Sequence, residues 1–208
     1  MTSSPQPKVR VRRTAENRRA EIVDCARRIA LSQGLDHVTL RSVADDLGVT
    51  GGLVSHYFPA VDGLLAEAFG VAAAAECDET FAELEAIDSS RERLATLLQR
   101  LVDSTRGDLS NLWIDAWHAA KRRPALADEV ERQTEQWVDR LAELLEQGRD
   151  EGQFHTGDPR TTALRIMAVI DGLSVQVTQR GTIDYESVAQ LAFRIAEIEL
   201  GLAPGTLD

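Results

Sequence analysis

The chain has 208 residues, 43% of them apolar, and a formal net charge of -11 at pH 7. That length supports one or two domains with a full core and makes disulfide or metal staples unnecessary. No apolar run approaches the roughly 18–20 residues that cross a bilayer, and the basic start MTSSPQPKVRVRRT lacks the apolar segment of a secretory signal, so a cytoplasmic protein with no membrane partner is expected.

The charge is unevenly placed. Residues 1–58 hold nine Lys/Arg against six Asp/Glu, whereas residues 59–208 hold 14 against 28. A basic head on an acidic body tolerates phosphate at one end and repels it at the other, although charge runs of this kind also occur as solvated faces.

Residues 1–13 are polar and contain proline, and read as a flexible basic arm. A first helix is predicted from Thr14, with Ile22, Val23, Ala26, Ile29 and Ala30 at helical spacing until Gly34. Short helices over 40–47 and 52–58 follow, and after Pro59 one long helix over 61–87 with Leu64, Leu65, Ala68, Val71, Ala72 and Ala75 on its inner stripe. Further helical patterns cover 90–105, 109–122, 125–148, 159–179 and 185–202, divided by Gly107, Pro124, Gly148, Gly152, Pro159 and Gly181. No stretch alternates like a strand, so an all-α chain of about nine helices is expected. Cys25 and Cys77 sit in separate helical patterns without metal-ligand spacing, and read as buried thiols.

The stretch TLRSVADDLGVTGGLVSHYF at 39–58 is the most specific. Thr39 can cap the helix it precedes. Counting from Leu40, the fifth place is small (Ala44) and the ninth is glycine (Gly48). Apolar side chains take places four, eight, ten, fifteen and eighteen, from Val43 to Tyr57. This is the helix-turn-helix pattern, with Gly48 where a positive φ is cheap only for glycine. Such a unit places the start of its second helix in the major groove of DNA. Thr39, Arg41, Thr50, Gly51, Gly52, Ser55, His56 and Tyr57 are the candidate DNA contacts, with Arg10, Arg12 and Arg13 of the arm on phosphates or in a minor groove. Taken singly, each of these is an ordinary surface or turn residue; together they favour DNA binding.

From Thr14 to about Phe69, including PAVDGLL after the recognition pattern, the chain resembles the tetracycline-repressor (TetR) family of bacterial regulators. The variant GLVSHYF is similar to its choline and betaine branch, as are LWIDAWHAAKRRPAL, Trp137 and MAVIDGLSVQ further on. The resemblance implies a three-helix DNA-binding domain over 14–60, then a helical effector-binding and dimerisation domain over 61–208. It implies a homodimer, a double-stranded operator and a small-molecule effector that releases a repressor; no cofactor and no metal are implied. The family commonly carries a lysine shortly after the phenylalanine, where this chain has Val61.

In the body, Val188, Leu191, Ile195, Ile198 and Leu202 form an a/d seam. Ile166, Met167, Val169, Ile170, Leu173 and Val177 make a broad apolar face on the preceding pattern. Ile166, Ile170, Leu173, Val177 and the seam are the candidate dimer interface, a four-helix bundle of these two helices with their copies, with Gly172 permitting close helix contact; the alternative is that both are core helices of a single chain. Trp113, Trp117 and Trp137 read from residue type alone as core or as cavity lining. The resemblance implies a cavity, with His118 and Met167 beside them as candidate effector contacts. Two rival functions remain open at this point. One is a helical adaptor that does not read DNA; the other is an enzyme using Asp115 and His118, three apart on a helix.

Overall fold

The computed structural model describes residues 14–103, 107–178 and 185–207, side chains excepted at 176–178 and 185–188. Among the described residues there are nine α-helices, one 3₁₀ turn and no strand, which gives the all-α chain expected. The helices are α1 (Ala15–Gln33), α2 (Leu40–Leu47), α3 (Gly51–Tyr57), α4 (Val61–Leu84), α5 (Ser90–Leu101), α6 (Gly107–Ala120), α7 (Pro124–Asp150), α8 (Pro159–Thr178) and α9 (Tyr185–Glu199). Several predicted helices run past the observed ends: 61–87 stops at Leu84, 90–105 at Leu101 and 185–202 at Glu199. Apolar spacing continues past those points while the backbone does not.

Each start in the head has a physical cause. The Thr14 hydroxyl accepts from Asn17 N at 3.2 Å and opens α1. Thr39 opens α2 with a capping box: its hydroxyl accepts from Ser42 N at 2.9 Å, and Ser42 Oγ accepts from Thr39 N at 2.9 Å. Gly48 ends α2 in the left-handed region, φ 63°. Between α1 and α2 lies a 3₁₀ turn, Leu35–His37, which periodicity over so few residues does not announce.

Two apolar cores result. The first joins the head to the body: Ile22, Val43, Val54 and Phe58 pack with Leu64, Phe69 and Ala72 of α4, Leu112 and Ala116 of α6 and Leu126 of α7. The second fills the body around Cys77, Leu94, Leu98, Trp137, Leu141, Ile166 and Ala196, and Trp113 packs against both. α4, at about 1.5 Å per residue some 36 Å long, runs from the end of α3 through both cores. Its buried side differs from the predicted stripe: Val71 and Ala75 are exposed, while Phe69, Ala73 and Cys77 are inside. Both cysteines are buried, and burial pushes each thiol up to about 12, which removes their nucleophilic form at neutral pH.

The broad apolar face of α8 turns inward. Ile166, Ile170 and Leu173, expected at a dimer interface, are buried in the single chain's second core. That face is apolar because α7 and α9 cover it. The outward face of α8 is instead Leu164, Ala168, Gly172 and Val175, all exposed. On α9, Leu191 and Ile198 are exposed and Ile195 is half-buried, while Leu202, beyond the helix end, packs against the second core. The side chains of Val177 and Val188 lie outside the described residues.

Candidate DNA-reading surface and effector cavity

The helix-turn-helix stands on the first core through Val43, Ala44 and Val54, with Leu47, Val49 and Tyr57 partly buried beside them. The remaining faces of α2 and α3 are open: Arg41, Thr50, Gly51, Gly52, Ser55 and His56 are exposed, and Tyr57 is half-buried with its ring edge-on to His56 at 5.3 Å. The Thr50 hydroxyl makes no capping bond to α3. Arg41 lies 3.7 Å from Asp45 with both groups well exposed, a weak contact in water. Thr39 is exposed, but its hydroxyl is engaged in the α2 cap. Arg10, Arg12 and Arg13 lie outside the described residues.

The two glycines of α3 are informative. Neither has a positive φ, and a Cβ built on either would meet nothing within 4 Å. The chain's own packing therefore has no use for glycine there. Val61 is half-buried and packs against the first core as α4 begins. Sequence reasoning missed Arg19: its guanidinium lies 4.6 Å from the Phe58 ring centre and pairs with Glu67, tying α1 to the end of α3 and the start of α4.

In the body a narrow cavity of about 40 Å³ opens between α4, α6, α7 and α8. Trp113, Trp117, Trp137 and Met167 line it. His118 does not; it is exposed on the outer side of α6. Trp113 stands edge-on to Phe69 at 4.9 Å, perpendicular, and Trp117 is tilted 45° to Trp113 at 5.7 Å. The polar lining is Glu76, Ser110, Thr134, Asp171 and Ser174. Trp113 Nε1 donates to Glu76 Oε2 at 3.1 Å. Thr134 and Ser174 donate to the carbonyls of Val130 and Ile170 one turn back. Burial raises Asp171 to about 6, so its carboxyl is mostly ionised at pH 7 and gains a proton in mild acid.

Glu76 and Asp171 are the site residues that the sequence reading missed. Each sits in a largely apolar helical run, VAAAAECD with Asp78 two residues on and IMAVIDGL, and nothing local sets it apart from the surface carboxylates. Indole faces beside carboxylates form a setting suited to a positively charged organic group. Asp115 and His118 do not converge: Asp115 accepts from Leu35 N at 3.1 Å, while His118 faces solvent. No cluster of potential metal ligands occurs among the described residues.

A helix-turn-helix head sharing one core with a helical body that encloses an aromatic cavity defines a transcription regulator with a built-in sensor domain. The chain belongs to the TetR family: residues 22–68 match the model of the bacterial regulatory proteins of the tetR family, and residues 86–201 match that of the BetI-type transcriptional repressor, C-terminal. It is 29% identical over 194 residues to the HTH-type transcriptional regulator BetI of Burkholderia lata, covering 89% of this chain and 94% of that one. Among solved structures it is similar to a transcriptional regulator from Saccharomonospora viridis in complex with choline, at 25% identity and TM-score 0.72, covering 89% and 98% of the two chains. It also resembles the multidrug binding protein EbrR complexed with proflavin, at 27% identity and TM-score 0.61, covering 86% and 99%. The chain is thus a DNA-binding transcription regulator and not an enzyme.

Proposed function

We propose that two copies of the chain repress transcription from a near-palindromic operator and that an organic ammonium cation of choline size releases them. The observation that carries the effector reading is the pairing of two carboxylates, Glu76 and Asp171, with three indoles in one cavity. A neutral effector gains no charge attraction from those carboxylates and an anionic one is repelled by them, whereas a quaternary ammonium gains both their charge and the indole faces. The similarity to a regulator crystallised with choline supports the same class.

Residues 14–60 act as the DNA-reading unit and 61–208 as the sensing and pairing unit. The DNA contacts are Thr50, Gly51, Gly52, Ser55 and His56, with Thr39, Arg41 and Tyr57 on adjacent phosphates. Arg10, Arg12 and Arg13 supply the basic arm that Val61 does not. Pairing uses the exposed faces: Leu164, Ala168, Gly172 and Val175 of α8 against Leu191, Ile195 and Ile198 of α9. Gly172 is exposed, and a Cβ there would meet nothing in its own chain, so the space it leaves suits a partner helix. Two heads held this way reach successive major grooves about 34 Å apart, or a multiple of that. Such a regulator works in the cytoplasm, and no single described helix is long and apolar enough to cross a membrane.

The test is operator release. Fluorescence polarisation of a labelled fragment from the chain's own upstream DNA is titrated with choline, with tetramethylammonium and with the neutral isostere 3,3-dimethylbutanol. Choline should release the DNA and the neutral isostere should not. Equal release by the isostere, or none by either cation, removes the ammonium reading.

A further inference from the structure

We propose that Asp115 is the positioning residue through which the cavity wall holds the DNA-binding head in register. It acts as a helix cap supplied by the sensing body to the head. The 3₁₀ turn Leu35–His37 begins at Gly34, which has no side chain and so makes no capping bond of its own. The open N–H of Leu35 is taken instead by Asp115 Oδ2 at 3.1 Å, a carboxylate 80 residues away on α6. Helix starts leave such N–H groups unpaired, and a carboxylate is a favourable partner for them.

Gly34 makes the approach feasible. A Cβ at that position would lie 3.2 Å from Asp115 Oδ2, tighter than side chains ordinarily pack, and φ there is 101°. Glycine therefore serves the turn and also clears the way for the carboxylate.

The same helix forms the cavity wall. Trp113 and Trp117 line the cavity, and Asp115 lies between them in sequence. At 3.6 residues per turn it projects from the side of α6 roughly opposite Trp113. Any shift or rotation of α6 that re-seats the indoles around an occupant must move the Asp115 carboxylate in the same step. At the other end of the turn His37 O accepts from Ser42 Oγ at 2.8 Å, and Ser42 completes the Thr39 cap that sets the start of α2. The backbone of the turn thus links the Asp115 bond at its start to the cap of the first helix of the DNA-reading pair.

The joint it crosses has room to move. A crevice lined by Leu35, Val38, Val61, Leu65 and Ala119 leaves the seam between head and α6 incompletely filled. Beside it Arg123, just past α6, pairs with Asp62 at the start of α4, a part-exposed tie within the body that water screens. The role of Asp115 in effector response rests on the ammonium reading above; its hold on the head does not.

The experiment compares wild type, Asp115→Asn and Asp115→Ala, each with a thermal melt to establish folding. Operator affinity is measured with and without saturating choline, and choline affinity is measured on the DNA-free protein. Asn keeps a side-chain oxygen at the position and should bind operator within about twofold of wild type. Ala removes the cap and should bind about 5–10-fold more weakly, the size of a lost helix cap. In Ala the factor by which choline weakens operator binding should also shrink toward one, while choline affinity of the free protein stays unchanged. Should Ala not fold, Asp115→Ser, too short to reach Leu35, replaces it with the same expectation. Wild-type operator affinity together with a wild-type choline factor in Ala or Ser overturns the proposal. If choline leaves wild-type operator binding unchanged, the ammonium reading fails, and Asp115 is then judged on operator affinity alone: a loss in Ala that Asn rescues supports it, and no loss overturns it.

Discussion

Trp113 Nε1 donates to Glu76 Oε2 at 3.1 Å, so an indole of α6 is fastened to a buried carboxylate of α4 inside the cavity. The bond joins the helix that touches the head through Asp115 to the helix that leaves the end of α3. Glu76→Gln keeps an oxygen acceptor for the indole and removes the charge. The variant should fold with little change in melting temperature and bind choline about tenfold more weakly, the scale of one charge in a partly desolvated site. Isothermal titration calorimetry beside a melt separates the two effects. Unchanged choline affinity would show that Glu76 serves only the indole.

If the proposed cation binds beside it, Asp171 should make that binding depend on pH. Its folded-state value is raised to about 6 by burial, above the ordinary carboxyl value near 3.8. The raised value means that the folded, unliganded protein holds this proton more tightly than the unfolded chain does. The stability it contributes is present below the unfolded value and is lost as pH rises through about 6. A cation needs the ionised form, so the dependence of choline affinity runs the other way. Affinity should rise about fourfold between pH 5.5 and 7.5, as the ionised fraction rises, and level off above. Asp171→Asn should bind weakly with a flat profile and should melt higher than wild type at pH 8.

His118 and Trp117 are neighbours in sequence with opposite expectations. Trp117 lines the cavity and His118 faces solvent. Trp117→Ala should weaken choline about tenfold or more through loss of an indole face, whereas His118→Ala should leave both choline and operator binding at wild-type values.

Periodicity and punctuation make the helices legible in the sequence, because a buried stripe at helical spacing and a Gly or Pro at its end are local properties. The Thr39 cap and the left-handed Gly48 were legible for the same reason. What periodicity cannot state is which neighbour covers an apolar face. Ile166, Ile170 and Leu173 carry the strongest apolar signal on α8, and the chain spends that face on its own core. The outward face at Leu164, Ala168, Gly172 and Val175 is less apolar, and on it the sequence points only to Gly172. Tryptophan is rare and large, so the three cavity indoles stood out. Glu76 and Asp171 resemble the many surface carboxylates of an acidic chain until the helices are docked. The Asp115–Leu35 bond spans 80 residues, and no local pattern carries it.

The corrected face of α8 and α9 leads to an association prediction. Ile198 is 72% exposed in the single chain and sits one heptad after exposed Leu191. Ile198→Glu places a charge on the proposed interface and touches nothing in the single-chain core. Sedimentation should show monomers where wild type shows dimers, with a large loss of operator affinity, since two half-sites no longer bind together. Ile166→Ala is the contrast: it empties part of the core and should cost about 2–5 kcal/mol of stability before any effect on association is seen.

Gly52 sets stability against function in a way that one substitution can expose. It is the second residue of α3, with a φ outside the left-handed region, and a Cβ there would meet nothing within 4 Å. Glycine in a helix costs about 0.5–1 kcal/mol relative to alanine because it surrenders more backbone freedom on folding. With no internal clash to oppose the gain, Gly52→Ala should raise the stability of the free protein by up to that amount. The same methyl group stands on the surface proposed to approach the DNA bases, where backbone and base edge come close. Operator affinity should therefore fall, by roughly tenfold, while non-specific binding to scrambled DNA at the same salt is preserved, because phosphate contacts made elsewhere are untouched. A variant that is more stable and binds operator as tightly as wild type would mean that α3 does not meet the bases at this position. The glycine pair would then need another explanation.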